Sequence, residues 1–426
     1  AIPFAIGNFQ LNLEVLVGKW DLDVFAVQKE TGHALVQIGH AAIRRQSSEL
    51  RLDDDRVAAF LQEIELRYQS QPYHNSMHAA DVLNGMLYYL QLNHTAFQRL
   101  LPVDMLAGMV AALAHDVGHT GTNNRFHVNS QTSLATLFSD QSVLENMHCT
   151  LTFAVLRLKR CDFTANLGHE NRRAFRNLVI KMVLETDLSK HMSSVSHFRQ
   201  EFLYSASSDG DANGSQRSSQ EMELSQGQLD QLLAFILKAS DVAHSAKPFD
   251  LHSQWTMRIN TEFFTQGDME QELCLPVSPF CDRRNTDVAD SQLGFFKFIV
   301  SPMYEALDKF LASPKMRFEV LPAIEKNRTY WTNFEKAFLS KVRFNYDDPM
   351  SNVPALQKSF VAEELERMST ARRAGAVPRP LSRQYSPDSQ EGSSPLPGST
   401  SRVDWSSVAD FQRAVSSMEA QGLKGA

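Results

Sequence analysis

An apolar run that ends in two histidines and an aspartate constrains this chain more than any other feature. Residues Met105–Ala114 contain no charged side chain and have the composition of a buried helix. His115, Asp116 and His119 follow directly. Burying a carboxylate beside imidazoles costs free energy unless something positive neutralises it. A divalent metal would do so, because histidine nitrogen and aspartate oxygen are among its usual ligands.

Two other parts of the chain offer ligands of the same kind. His74 and His78 are four residues apart, so on a helix they would share one face. Asp241 lies where another apolar helical run meets polar residues. A metal pocket between helices needs ligands from separate helices, which these positions would supply. The residues predicted to converge are His78, His115, Asp116 and Asp241.

This predicted pocket has room for a second cation and for water. Asp116 has two oxygens and would bridge to a harder ion such as Mg²⁺ or Mn²⁺. The waters of that ion would be held by His119, Glu145 and Asp187. A water between two cations is acidified towards hydroxide and is suited to attack phosphorus. His74 is the candidate proton donor to the leaving group, with an acid such as Glu145 keeping it protonated.

Composition limits the class of protein. The chain has 426 residues, 43% of them hydrophobic, which is enough for one large helical domain or two ordinary ones. A net charge of −7 and the lack of a Lys/Arg run argue against nucleic acid as a partner. The four cysteines lack Cys-x-x-Cys spacing, which indicates reduced thiols in a cytoplasmic protein. No apolar run is long enough to predict a transmembrane segment.

Helical periodicity dominates and period-two alternation is almost absent, so the pattern predicts an all-α fold with a compact multi-helix domain. Gly267–Thr286 contains two prolines and is predicted to be a long loop. Pro302 is predicted to break Ser291–Phe298 from Met303–Leu311. The sequence also predicts helices at Asp53–Tyr68, His74–Leu90, Leu134–Leu158, Arg172–His191, Leu251–Phe264 and Val320–Phe338.

A change in composition predicts the domain boundaries. We expect a catalytic domain over residues 1–345, with a Ser/Gly-rich surface insert at 205–219. The C-terminal extension, 346–426, turns Pro- and Ser-rich and is predicted to be mostly disordered from about residue 365. A short amphipathic piece within it, 404–418, would fold alone or dock on another surface.

Several of these residues have a simple structural interpretation when each is taken alone. The stripe Trp255, Ile259 and Phe263 recurs every four residues and by itself predicts core packing. A lone histidine on an amphipathic helix is more often structural than a ligand. The histidines that keep this interpretation are His33, His40, His94, His127, His169, His197 and His252.

In their order and spacing, the motifs resemble those of class I 3′,5′-cyclic nucleotide phosphodiesterases over about residues 10 to 340. The HD dipeptide alone would indicate only the wider HD phosphohydrolase group. The motifs are Pro72-Tyr73-His74-Asn75-x-x-His78, His115-Asp116-x-x-His119-x-Gly121, Ser142-Val143-Leu144-Glu145-Asn146, Thr186-Asp187-x-Ser189-Lys190-His191, Ser278-Pro279-x-Cys281-Asp282-Arg283 and Ser291-Gln292-x-Gly294-Phe295.

The resemblance implies an all-helical catalytic domain of HD type that holds one zinc and one magnesium (or manganese) ion. Asp116 would bind both ions, and His74 would donate the proton. The zinc ligands that the resemblance implies are His78, His115, Asp116 and Asp241. The residues expected around the metals are His119, Glu145, His148, Thr186 and Asp187.

The resemblance also implies a purine pocket. Gln292 would hydrogen-bond the base, Ile259 and Phe295 would clamp its ring, and Tyr73 would line the pocket. His244 stands near the purine end, where the cAMP-selective branch often has Asn. An amide both donates and accepts hydrogen bonds, so Gln292 would serve either purine if it is free to rotate.

Three further positions depart from the family pattern. Gly118 and Thr120 stand where many members have Asp and Pro, and Met147 stands where a second His is common beside His148. Losing the acid at residue 118 would soften the surroundings of the metals. With His244, the pattern resembles the dual-specificity, calmodulin-stimulated branch more than the cAMP-selective one.

We therefore expect hydrolysis of cAMP, cGMP or both to 5′-monophosphates, which would end second-messenger signalling. Two alternatives remain: an HD-type phosphohydrolase acting on another phosphoester, and a catalytically weak nucleotide-binding protein. The choice between cAMP and cGMP, assembly into a homodimer, and regulators that bind the C-terminal extension stay open.

Overall fold

The computed structural model describes residues 13–92, 95–204, 224–337 and 344–360. All regular structure in these ranges is helical, which confirms the predicted all-α class. The α-helices are α1 Leu13–Leu16, α2 Val24–Thr31, α3 Ala34–Leu50, α4 Asp54–Arg67, α5 Ser76–Leu90, α6 Pro102–Ala114, α7 Asn124–Asn129, α8 Ser133–Leu137, α9 Val143–Arg157, α10 His169–Glu185, α11 His191–Arg199, α12 Gln226–Asp241, α13 Phe249–Glu272, α14 Val288–Phe295, α15 Ser301–Leu311 and α16 Leu321–Ala337.

Helix α6 lies at the centre of the domain. Its residues from Leu106 to Ala114 are buried on every side, and α3, α5, α10 and α12 pack around it. A helix that is apolar all round has no face to offer to water, so other helices must enclose it. Pro102 occupies its first turn, and Asp104 Oδ2 accepts a hydrogen bond of 3.0 Å from the Leu101 N–H. The polar residues after α6 therefore begin deep inside the protein.

Helix ends position the ligand-type side chains. The Asn75 side chain caps α5 by accepting from the N–H groups of Met77 (2.9 Å) and His78 (3.3 Å). His115 follows the last residue of α6, and Asp241 is the last residue of α12. Side chains at such ends project past their own helices into the space between neighbouring ones.

Two sequence predictions about helices near the site are wrong. His74 lies before α5 and not on it, because Asn75 starts the helix by capping it, so His74 and His78 do not share a helix face. The segment Leu134–Leu158 forms two helices, α8 and α9, and not one. The connection between α8 and α9 contains three residues with positive φ angles: Ser139, Asp140 and Ser142. A continuous right-handed helix cannot contain such residues.

Further along the chain, α13 continues to Glu272, so the first residues of the predicted loop Gly267–Thr286 are helical. Pro302 does not break the helix: α14 passes through a π-helical turn, Phe296–Val300, into α15. The wider turn ends two residues before Pro302, which has no N–H to donate. The predicted helix Arg172–His191 also ends early, at Glu185.

The other two predicted helix boundaries agree with the structure. Helix α4, Asp54–Arg67, corresponds to Asp53–Tyr68, although Leu66 is 67% exposed and does not belong to its apolar face. Helix α16, Leu321–Ala337, corresponds to Val320–Phe338.

Residues 344–360 pack against the helical domain. Leu356 is fully buried, and the Phe360 ring stacks on Phe249 with centroids 4.2 Å apart. The predicted insert at 205–219 and the predicted tail from residue 365 lie outside the described residues. The proposed division at residue 345 stays a prediction. Among the described helices, none is long and apolar enough to cross a membrane.

Candidate active site

The four side chains predicted to converge do lie together. His78 Nε2 lies 3.0 Å from Asp241 Oδ1 and 3.5 Å from Asp116 Oδ2. His115 Nε2 lies 3.1 Å from Asp116 Oδ2 and 3.2 Å from Asp241 Oδ1. The four potential ligand atoms come from the start of α5 and the ends of α6 and α12, and all lie within 4.8 Å of one another. We call these four residues the metal cluster.

The metal cluster has the geometry that a divalent cation needs. His115 Nδ1–H donates to the Ala112 carbonyl at 2.9 Å, which leaves the Nε2 lone pair facing the carboxylates. Ligands about 2.1 Å from an ion are separated by about 3.0 Å in octahedral and about 3.4 Å in tetrahedral coordination. The spacings of 3.0–3.5 Å between nitrogen and oxygen match this range.

Charge also favours a cation at this point. Burial lowers the pKa of His115, but Asp116 and Asp241 outweigh it and raise that pKa well above its ordinary value. Burial raises the pKa of each carboxyl, and His115 more than reverses this effect, so both pKa values fall below their ordinary range. The two acids are therefore ionised and require positive charge beside them, as protons on imidazole or as a metal ion.

A second cluster surrounds His74. Its Nδ1–H donates a short hydrogen bond to Glu262 Oε1 on α13. Glu262 Oε2 accepts from the backbone N–H groups of Tyr73 at 3.0 Å and His74 at 3.1 Å. Burial lowers the pKa of His74, but Glu262, followed by Asp116, raises it to about 9. His74 is therefore protonated at neutral pH, and its side chain keeps 21% exposure.

His119 completes this second group, which we call the proton cluster: His74, His119 and Glu262. The His74 and His119 rings stack with centroids 3.9 Å apart and planes within 21°. His119 Nδ1 accepts from the Gly121 N–H at 3.0 Å, and burial, then His74, lower the His119 pKa well below its ordinary value. Ligand lone pairs lie in the ring plane, so two stacked rings cannot both point at one ion. The proton cluster suits a proton and not a metal.

Two of the residues expected around the metals are histidine and glutamate on α9. His148 Nδ1–H donates to the Val117 carbonyl at 2.8 Å, and its Nε2 lies 3.7 Å from Asp116 Oδ1. Burial lowers the pKa of His148 to about 4, so it is neutral. Glu145 accepts from Asn124 Nδ2 at 2.9 Å, and burial, then Asp187, raise its pKa to about 7. The prediction that Glu145 partners His74 is wrong, because Glu262 occupies that position.

The remaining two lie in the turn after α10. Asp187 accepts from Ser142 Oγ at 2.8 Å and from the Ser189 N–H at 2.9 Å. Thr186 Oγ1 donates to the Val183 carbonyl at 2.8 Å. The buried Lys238 ammonium holds the same turn by donating to the Asp187 carbonyl at 2.9 Å. The turn is therefore fixed beside α12, the helix that carries Asp241.

Rings connect the metal cluster to the predicted purine pocket. The Tyr73 ring centroid lies 4.6 Å from that of His78 and 5.8 Å from that of His244. His244 lies nearly parallel to Phe295, with centroids 6.2 Å apart. Gln292 lies one helical turn before Phe295, and its buried Oε1 has no hydrogen-bond partner in the described structure. An acceptor left unsatisfied in a buried position is available to a ligand donor.

Ile259 is partly buried on α13. Glu262, which sequence reasoning missed, lies on the same helix three residues later. Trp255, Ile259 and Glu262 follow at spacings of four and three, so they share one face. The signal available in the sequence was the position of Glu262: an acid lies on the helix face that the apolar residues Trp255 and Ile259 predict to be buried.

The fold and the site together indicate a class of protein. The domain is all-helical in its described parts and gathers two imidazoles and two carboxylates at helix ends, starting from a His-Asp pair. A protonated histidine lies next to this cluster. This is the arrangement expected of a metal-dependent phosphohydrolase of HD type.

Comparison with known proteins identifies the family. The family model for 3′5′-cyclic nucleotide phosphodiesterase matches residues 73–321, more than half of the chain. The chain belongs to this family.

Curated relatives fall into two groups by name. The dual specificity calcium/calmodulin-dependent 3′,5′-cyclic nucleotide phosphodiesterase 1 of Drosophila melanogaster is 35% identical over 300 residues, covering 68% of this chain and 33% of that protein. The protein of Homo sapiens with the same name and the designation 1C is 36% identical, covering 68% of this chain and 39% of that protein. The probable 3′,5′-cyclic-AMP phosphodiesterase pde-4 of Caenorhabditis elegans is 33% identical, covering 73% and 45%.

A solved structure shows the same fold. The phosphodiesterase domain of the RhoPDE fusion protein from Salpingoeca rosetta superposes with a TM-score of 0.66 and 28% identity, covering 77% of this chain and 99% of that one. The match spans well under two thirds of the length of each of the three curated relatives. The activities and substrates named for those whole proteins are therefore not assigned to this chain by similarity alone.

Proposed function

We propose that this domain hydrolyses the 3′,5′-cyclic nucleotides cAMP, cGMP or both to 5′-nucleoside monophosphates. The observation that carries the proposal is the protonated His74, held by Glu262 beside four ligand-type side chains spaced for a cation. The names of the relatives, which cover both dual-specificity and cAMP enzymes, support the same substrate class.

The metal cluster would hold two divalent cations. His78, His115, Asp116 and Asp241 would bind zinc, whose ligands are nitrogen and oxygen. Asp116 Oδ2 faces the histidines, while its Oδ1 faces His148, so its two oxygens are turned to different sides. Asp116 would thus reach a second ion, magnesium or manganese, near Glu145 and Asp187. When bound, the ions supply Lewis acidity to the phosphate and to the water that attacks it.

The residues of the chain then handle the proton. The attacking water gives a proton to solvent as its oxygen bonds to phosphorus, the bond from phosphorus to the 3′ oxygen breaks, and the leaving oxygen needs a proton. His74 donates Nδ1–H to Glu262, so its Nε2–H is the proton available to that oxygen. The neutral imidazole that remains is reprotonated from solvent. Glu262 cannot turn away, because two backbone N–H groups hold its other oxygen.

The base would bind on the side of Tyr73, His244 and Phe295. Ile259 and Phe295 would pack on its faces, and the Gln292 amide would hydrogen-bond its edge. Assembly into a homodimer, a cytoplasmic location and regulators bound by residues 346–426 remain part of the proposal, and each needs its own measurement.

A substrate panel tests the proposal. Purified protein with zinc and magnesium restored should release 5′-AMP or 5′-GMP from the 3′,5′-cyclic nucleotides, and should act poorly on 2′,3′-cyclic nucleotides and p-nitrophenyl phosphate. Turnover of the other phosphoesters alone would favour the alternative HD-type phosphohydrolase. Cyclic nucleotide binding without turnover, by protein that holds both metals, would show a catalytically silent binding protein.

A further inference from the structure

The turn that follows Asp241 is held by side chains from distant parts of the chain. Helix α12 ends at Asp241, and the last carbonyls of a helix have no partner within it. Beyond that end, the carbonyls of Ser245, Ala246 and Lys247 each accept a hydrogen bond from a remote side chain. We call residues 243–247 the exit turn. Its position fixes the chain on the far side of a predicted zinc ligand.

Trp20 makes the central contact with the exit turn. Its indole Nε1–H donates to the carbonyl of Ala246 at 2.7 Å, across 226 residues of chain. An indole N–H only donates and a carbonyl only accepts, so the direction of this bond is certain. Trp20 is 5% exposed, so water has little access to the bond. Asn327 Nδ2 supplies the two flanking bonds, each of 2.9 Å, to the carbonyls of Ser245 and Lys247.

Helix α5, which carries a predicted zinc ligand near its start, holds Trp20 in place. The Gly18 N–H donates to Asn84 Oδ1 at 2.7 Å, and Asn84 Nδ2 donates to the Lys19 carbonyl at 2.8 Å. Asn84 is fully buried on α5. The Trp20 ring packs on Tyr88, also on α5, with centroids 4.8 Å apart. Residues 18–20, which we call the strap, therefore connect α5 to the exit turn.

The exit turn and α5 also touch each other directly. Lys247 Nζ donates a hydrogen bond to Asp81 Oδ1 on α5, and both residues are buried. A Cβ added at Gly85 would lie 3.4 Å from Ser240 Cβ and 3.7 Å from Ala243 Cβ. Helix α5 thus runs against residues on both sides of the ligand at the end of α12. Breaking the buried ion pair would endanger the whole fold, so the strap is the better place to test this connection.

We propose that Trp20 and Asn84 are positioning residues that hold Asp241 in place beside His78 and His115, and so slow the loss of zinc. Ligands keep their full affinity only when held within about 0.5 Å of the productive geometry. Without the Trp20 N–H the exit turn gains freedom, and Asp241 loses that precision while both histidines keep theirs. The inference rests on the proposed function, because it concerns retention of the metal predicted at that same site.

The first test measures zinc and needs no turnover. Trp20→Phe removes the indole donor and keeps an aromatic ring against α5. Zinc should pass from the loaded variant to a chromophoric chelator about tenfold faster than from the parent, the lower end of the effect of groups that orient metal ligands. Release at the parental rate from a folded variant would overturn the proposal.

Tyr330→Phe is the matched control for the loss of one buried hydrogen bond. Tyr330 is also buried, and its hydroxyl donates at 3.3 Å to the carbonyl of Leu356, outside the exit turn. This variant should release zinc at the parental rate. An equal acceleration in both variants would point to a general loss of stability and would refute the positioning role.

A double-mutant cycle tests whether the strap acts through Trp20. Asn84→Ala removes the bonds to Gly18 and Lys19, so zinc release should accelerate by a factor similar to that of Trp20→Phe. The double variant should be little faster than either single variant, because both changes weaken the same contact. Effects that multiply would show two independent routes and contradict the path through the strap.

Two further readouts separate positioning from a loss of folding. In Trp20→Phe the backbone amides of the exit turn should exchange hydrogen faster, while those of α10 keep their parental rates. Raising free zinc with a metal buffer should restore kcat in Trp20→Phe but not in Asp241→Asn, because only the former keeps every ligand. Faster exchange throughout the protein, or no recovery with zinc, would count against the proposal.

The two proposals fail in different ways. If the protein binds zinc and hydrolyses neither cyclic nucleotide, the proposed function fails, and zinc release still decides the role of Trp20. If it hydrolyses them and Trp20→Phe releases zinc at the parental rate, only the positioning inference fails.

Discussion

The metal cluster and the proton cluster contain the same kinds of residue but are built for different work. Each offers two histidines and carboxylate oxygens within 4.8 Å of one another. In the metal cluster, the ring edges of His78 and His115 point at shared carboxylates. In the proton cluster, His74 and His119 stack face to face, and one carboxylate, that of Glu262, accepts a hydrogen bond from His74 Nδ1–H.

The difference shows that lone-pair direction, and not composition, separates a cation site from a proton donor. Backbone contacts set that direction. The Ala112 carbonyl takes the Nδ1–H of His115 and leaves Nε2 free for a ligand. The Gly121 N–H does the opposite for His119, because it occupies the Nδ1 lone pair. One turn, residues 115–121, supplies histidines to both clusters with opposite hydrogen-bond roles.

The largest effect is expected when a carboxylate is removed from the metal cluster. Asp241→Asn takes one charge from beside His78 and His115, so a cation loses both a ligand and electrostatic stabilisation. We expect kcat/KM to fall about 10⁴-fold or more. Bound zinc, measured by elemental analysis after dialysis, should fall with it.

Asp187→Asn serves as the control, because Asp187 lies outside the metal cluster and is held by Ser142 and the Ser189 N–H. Its loss should cost about 10–100-fold and leave zinc bound. Retention of zinc at full stoichiometry by Asp241→Asn would contradict the assignment of the cluster.

Removing the proton donor should separate the two clusters by their readouts. His74→Gln should lower kcat by about 10²- to 10³-fold, the range for a general acid, while the metal content stays at its parental value. His127→Gln is the matched control: His127 is a buried histidine that, unlike His74, is neutral, and it bonds to Thr122 and Thr132. Loss of metal from His74→Gln would place His74 in the metal cluster and end the distinction.

The Glu262 contact predicts a pH effect with a definite sign. Burial lowers the His74 pKa, but Glu262, followed by Asp116, outweighs burial and raises that pKa from 6.5 to about 9, so the donor keeps its proton below about pH 9 and loses it above. Glu262→Gln lets that pKa fall, so kcat/KM should change little at pH 6 but drop roughly tenfold at pH 8.5. A pH–rate profile of each protein measures this shift.

The same contact has a consequence for stability. Because the folded pKa of His74 lies above its unfolded value, the pair stabilises the fold fully below about pH 6.5 and loses this effect as pH rises through about 9. Glu145→Gln is the control for the pH–rate profile, because Glu145 bonds to Asn124 and not to His74. An alkaline limb that moves in Glu145→Gln but stays in place in Glu262→Gln would reverse the assignment.

Sequence reasoning found the metal cluster because its signal is local. An apolar run that ends in His115 and Asp116 places an ionisable pair where burial is certain, and burial of charge needs compensation. The all-α fold was predictable for the same reason, since helical periodicity is visible within each segment. Asp241 followed from the same pattern at the end of α12.

Only part of the proton cluster could be predicted from the sequence, because the contact between His74 and Glu262 joins distant parts of the chain. Glu262 meets His74 across 188 residues of chain, through the packing of α13 against the loop before α5. A four-residue spacing suggested a shared helix for His74 and His78, but the cap at Asn75 starts the helix between them. Glu145, the acid that the sequence suggested as the partner of His74, bonds to Asn124 instead.

The smallest predicted effect concerns Gly118, which lies in the turn that supplies histidines to both clusters. Gly118 has φ +83°, and a Cβ added there would lie 2.5 Å from Leu151 Cδ1. Gly118→Ala should lower the free energy of unfolding by about 1 kcal/mol or somewhat more, measured by urea denaturation. Gly227→Ala, in α12 with open space around it, should instead stabilise the protein slightly. If Gly118→Ala keeps parental stability, the turn relaxes easily, and the family's more common Asp would be tolerated at this position.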